Sequence, residues 1–146
     1  MAMKETVGSL RAYFILAGVI SAGTAMRDMS AVNDVAAVLT AGQKAALYIP
    51  IVSRLLLGAA FVIAGIQLKS ALATGAIWIK KMLVVSGATL LVDGALVTAV
   101  FGVDAGHSGI ISAAVGLIIT AYLHHSVKQL AAEAQFAKPL PSAKAL

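Results

Sequence analysis

Four apolar stretches, each close to the length of a bilayer-crossing helix, take up more than half of this 146-residue chain and leave few folds open to it. Residues 10–29, 45–68, 82–103 and 108–125 each suit a helix rising about 1.5 Å per residue through about 30 Å of hydrocarbon. With 60% hydrophobic and only 12% charged residues, the chain has too little polar surface to coat a soluble globule. The expected fold is all-α, an integral membrane bundle of four transmembrane helices. Residues 1–137 read as a single transmembrane domain, because the spans leave no room for a separate soluble one. Helix is expected to run on from the fourth span to about Phe136, where Pro139 and Pro141 end it and leave 138–146 as a flexible cytoplasmic tail.

The basic residues orient the bundle. With four spans, one side carries Lys4, Arg11, Lys69, Lys80, Lys81, Lys128, Lys138 and Lys144, and the other only Arg27 and Lys44. The excess of cationic loops on the cytoplasmic face places both termini inside, as in a multi-pass protein of a bacterial inner membrane. The same distribution explains the net charge of +5 without nucleic acid, since the cations flank the spans and face anionic lipid. Asp28, Asp34 and Asp104 fall on the outer side. Tyr13, Tyr48, Trp78 and Tyr122 lie near span ends, where amphipathic rings favour the headgroup layer. Trp78, Lys80 and Lys81 read as an interfacial anchor at the entry to the third span, and His124 and His125 as a second anchor near the inner end of the fourth.

Between the first two spans, Met29, Val32, Val35, Ala36 and Leu39 recur at helical spacing, which predicts a short amphipathic helix on the outer surface, ended by Gly42. A competing reading takes the first 25 residues as a signal peptide, with Lys4 and Arg11 as its basic region, and leaves three spans. The four-span reading is the one carried forward.

Two charges interrupt the apolar spans. Arg54 lies about 14 Å into the second span and Asp93 about 15 Å from the outer end of the third, so the two are expected to pair across neighbouring antiparallel helices. An unpaired charge at such depth costs several kcal/mol. The pair is either a pin fixing the register of two spans or a proton or cation site on a transport route. Ser86, Thr89 and Thr98, with Gln67, could line a polar path beside it, although hydroxyls in such helices commonly bond back to their own carbonyls. Small residues mark packing faces: Ala17, Ser21 and Ala25 on the first span, Ala60 and Ala64 on the second, and Ser112, Gly116 and Thr120 on the fourth. So many close-packing faces point to a homo-oligomer or to other membrane subunits as partners besides the bilayer.

Catalytic chemistry finds no footing in the sequence. Cysteine is absent, which removes thiolate nucleophiles and Cys-ligated metals. Asp104, His107 and Ser108 crowd one expected loop rather than converging from separate elements as a hydrolytic triad does, and Ser108 reads as the N-cap of the fourth span. His107 and His124 stand about 25 Å apart on one helix, too far to share a haem. No cofactor, metal or enzymatic activity is expected. The function expected is that of a non-enzymatic accessory or assembly subunit of a membrane complex or homo-oligomer. The alternative is a small transporter of ions or solutes that uses the Asp93 and Arg54 charges.

Overall fold

The computed structural model describes residues 6–137, with only the backbone of residues 105–109. The expected tail at 138–146 lies outside the described residues. Four helices make up the fold: α1 (Val7–Val35), α2 (Ala41–Ala73), α3 (Ile77–Phe101) and α4 (Val103–Phe136). Each contains a segment long and apolar enough to cross a membrane: Val7–Val38, in which a short 3-10 turn extends α1, Ala41–Ala73, Ile77–Phe101 and Ile110–Phe136. The helices outrun the expected spans because nothing in the flanking sequence breaks them, so polar ends continue the coil begun by the apolar centres.

Local chemistry sets the ends. Thr6 caps α1, its side chain accepting from the Ser9 backbone N–H while the Ser9 hydroxyl accepts from that of Thr6. Thr40 and Gln43 form the same reciprocal box at the start of α2. The α2–α3 turn closes with Gly75 N–H donating to Leu72 O and Ala76 N–H to Ala71 O. Gly75 and Ala76 both take positive φ, 81° and 51°, so a glycine at 75 relieves half of the strain of the reversal. Gly102, with φ 84°, is the sole residue between α3 and α4. Asp104 then lies in the first turn of α4, where a negative charge suits the helix dipole.

Three expectations change here. The segment from Met29 to Val35 is the last part of α1 and leads into the 3-10 turn at Ala36–Val38, so no separate surface helix stands between α1 and α2. Gly42 lies in the first turn of α2 rather than ending a helix, because the Thr40 cap has already started α2. Ser108 falls inside α4, whose N-cap is Gly102, so the residues from Asp104 to Gly109 are helical rather than a tight loop. The side chains of His107 and Ser108 lie outside the described residues.

Successive helices run antiparallel and share one core at the end where α1 begins and α4 finishes. Leu10 and Phe14 of α1, Phe61, Leu68 and Leu72 of α2, Ile79 and Leu83 of α3, and Leu123 and Val127 of α4 meet there. The Phe14 and Phe61 rings pack with centroids 5.6 Å apart. At the opposite end, Ala25, Val32 and Ile51 form a smaller core belonging to the α1–α2 hairpin alone.

Backbone proximity explains how the α1–α2 hairpin packs. A Cβ on Gly18 would lie 2.5 Å from Gly58 O, and one on Gly58 would lie 2.8 Å from Gly18 O. Two turns further along α2, a Cβ on Gly65 would meet Ile15 and the Arg11 carbonyl. Close approach of this kind is how helices associate when lipid competes for apolar contact. The α3–α4 pair relies on the same device less strongly, with Gly87 facing Leu117 and Gly116 facing Leu90.

Candidate functional site

The charges within the candidate spans lie on three helices, Asp28 on α1, Arg54 on α2 and Asp93 on α3. Arg54 sits midway along α2, on the face turned to α1, and the Ser21 hydroxyl donates to the Arg54 carbonyl at 3.2 Å. From there the Arg54 guanidinium reaches Asp28, its Nη1 donating to Oδ2 at 3.0 Å. Asp28 also accepts from Arg27 Nη2 at 3.5 Å through its other oxygen. The Arg54 and Asp28 side chains are 41% and 33% exposed, so this pair is half-open to its surroundings.

Asp93 is therefore not the ion-pair partner of Arg54. The expected pairing compared backbone depths and counted Asp28 only among the acids of the outer side. In the structure α1 stays helical past Asp28, and an arginine side chain is long enough to bridge the offset in depth between neighbouring helices. The α1–α2 contact at Gly18 and Gly58 brings the two backbones close, so Asp28 wins the guanidinium.

Asp93 remains on α3, only 8% exposed, and among the described residues it accepts no hydrogen bond and forms no ion pair. Two helical turns nearer the shared core, Ser86 lies on the same face, 4% exposed, and its hydroxyl likewise has no hydrogen bond among the described residues. Gly87 and Leu90 turn toward α4, which leaves Ser86 and Asp93 on the shoulder away from Gly87.

The other polar residues do not join them. Thr89 and Thr98 donate to Val85 O and Gly94 O of their own helix, at 2.9 and 2.8 Å, and Thr120 donates to Gly116 O at 2.7 Å. Gln67 is exposed on α2. Of the small residues, Ala25 and Ala64 are fully buried, Ala17 packs against the main core, Ala60 is half-buried and Ser112 is exposed. Trp78, Lys81 and His125 are exposed at the terminal end of the bundle, with Lys80 and His124 half-buried beside them.

Two features escaped the sequence reading. One is Asp28, which lies at the very end of the expected span 10–29 and was counted only among the acids of the outer side. The other is the contact of Gly18 with Gly58 and of Gly65 with Arg11 and Ile15, for which the seven-residue spacing of Gly58 and Gly65 was a usable signal.

The arrangement defines a four-helix protein with the length and hydropathy of a multi-pass membrane protein, an Arg54–Asp28 ion pair between α1 and α2, and a buried Asp93 on α3. No family model, curated protein or solved structure matches the chain.

Proposed function

We propose that the chain is a small integral membrane protein, both termini cytoplasmic, that moves an ion or small solute across a bacterial inner membrane, with Asp93 as the working group. The observation that carries this reading is Asp93, a residue 8% exposed inside a candidate spanning helix, with no hydrogen bond or ion pair among the described residues while its carboxyl oxygens still reach the surface. A structural pin needs its partner, and Arg54 is engaged by Asp28. Maintaining an unpartnered ionisable group within a membrane costs several kcal/mol, an arrangement that contributes nothing to folding and makes sense for a group that must bind and release something.

The test is flux. Purified chain reconstituted into vesicles should pass a proton or monovalent-cation current under an imposed gradient, and Asp93→Asn should abolish it while the variant still accumulates and unfolds like wild type. Equal flux through wild-type and Asp93→Asn vesicles would refute the assignment.

A second reading, as an accessory subunit of a homo-oligomer or larger membrane complex, is favoured by the 41% exposure of the Arg54 side chain within a candidate span. A neighbouring subunit covering the Arg54 and Asp28 pair would remove that charge from lipid. Absence of flux together with a discrete oligomer in lipid nanodiscs supports this second reading.

A further inference from the structure

We infer that the outward groove between α3 and α4, at the end where α4 finishes, holds one anionic phospholipid, with its phosphate on Lys80, His124 and Lys128. The inference stands apart from the transport reading, since it uses neither Asp93 nor Arg54. Contacts bracket the groove along its length. A Cβ on Gly87 would lie 3.4 Å from Leu117 Cδ2, and one on Gly75 would lie 2.9 Å from Gln135 Nε2. Between these points Ile79 and Leu83 of α3 share a core with Leu123 and Val127 of α4, so the two helices stay packed throughout. Lys80 comes seven residues before Gly87 and His124 seven after Leu117. In an antiparallel pair both steps run about 10 Å the same way and return to nearly the same face. The contact of Gly87 with Leu117 therefore repeats two turns on as Lys80 opposite His124, and both of those residues are half-buried. Lys128 stands one turn beyond His124.

Charge and exposure say what fills the groove. Successive residues of two antiparallel helices rotate toward the same side of the pair, about 100° each. Lys80, His124 and Lys128 thereby fall on one shoulder, with the buried Ser86, Leu123 and Ser126 on the other. The first shoulder faces outward. No acid answers its cations. Among the described residues Lys80 and Lys128 form no ion pair, and Glu133 is turned about 140° from Lys128 around α4. Further from the terminal end, the same shoulder carries the exposed Val84 and Leu91 of α3 alongside Leu117 and Ala121 of α4. Trp78, two residues from Lys80, sets the cations at the headgroup layer and this apolar strip in the acyl layer. A free phosphate would satisfy the ammonium groups and leave the strip unused. A phospholipid satisfies both, with phosphate oxygens accepting from Lys80, Lys128 and the His124 imidazole, and an acyl chain along the strip.

The experiment is native mass spectrometry of the full chain released from nanodiscs of equal parts phosphatidylglycerol and phosphatidylcholine. One phosphatidylglycerol per chain should survive release, in preference to phosphatidylcholine. Lys80→Gln with Lys128→Gln should lower its retention about thirtyfold, since each cation counts for about fivefold near anionic lipid. Arg11→Gln with Lys69→Gln removes the same charge from α1 and α2 at the same end and should leave retention unchanged. Ala121→Trp, which keeps every charge and fills the apolar strip, should lower retention too. Equal loss from both double variants reduces the effect to net charge and overturns the site. Equal retention of the two lipids overturns it as well. Release of phosphatidylglycerol by millimolar inorganic phosphate assigns the cations to a free anion and overturns the lipid. None of these outcomes bears on flux through Asp93.

Discussion

Arg54 of α2 and Asp28 of α1 form the one interhelical ion pair among the described residues, with Nη1 and Oδ2 3.0 Å apart. It sits beside the Ser21 hydroxyl bond to the Arg54 carbonyl, so a charged and a neutral polar contact reinforce the same helix pair. The pair belongs to the α1–α2 hairpin, and Asp93 on α3 takes no part in it.

This assignment ranks two conservative variants. Asp28→Asn should destabilise the folded chain by about 1 kcal/mol, the scale of a half-exposed ion pair, whereas Asp93→Asn should leave stability unchanged or improve it. Unfolding titrations in mixed micelles give both values. A larger loss for Asp93→Asn than for Asp28→Asn would show that Arg54 serves Asp93.

The glycine contact is equally specific. Gly18→Ala places a methyl 2.5 Å from Gly58 O, so α1 and α2 must separate, at a cost of about 1–3 kcal/mol in the same titration. Gly23→Ala, on the same helix but with open space around its Cβ, should be neutral or stabilising.

Thr40 starts α2 through a reciprocal pair of hydrogen bonds with Gln43. Thr40→Ala should cost about 1 kcal/mol and speed amide exchange in the first turn of α2, and Thr40→Asn should restore protection. Unchanged exchange at Lys44 and its neighbours in the alanine variant would place the helix start elsewhere.

The proposed orientation rests on the basic residues. Reporter tags inserted at the α2–α3 turn, residues 74–76, should read as cytoplasmic, and tags at residues 38–40 as external. Exchanging Lys69, Lys80 and Lys81 for glutamine should weaken that bias, measured as the fraction of chains in each orientation. A reading with 38–40 inside would reverse the proposed topology.

Much of the helix content follows from composition along the chain. Lipid-length apolar runs must satisfy their backbone groups internally, and that condition alone demands helices over the four stretches found here. The capping chemistry of Thr40 with Gln43 was also readable, as was the bonding of Thr89 and Thr98 to their own carbonyls, because each depends on residues three or four apart. The surface helix expected after Met29 failed because amphipathic spacing marks a helical face without marking a break, and no breaking residue separates Met29 from α1.

By itself the sequence determined that this chain is four apolar helices with charges at Arg54 and Asp93 that its composition cannot dilute. Only the tertiary structure decided which carboxylate Arg54 takes. Pairing depends on side-chain reach and on which backbones approach closest, and that approach is set by Gly18 against Gly58, residues forty positions apart. Depth along a helix is written locally in the sequence; contact between helices is not, because it arises when distant segments meet.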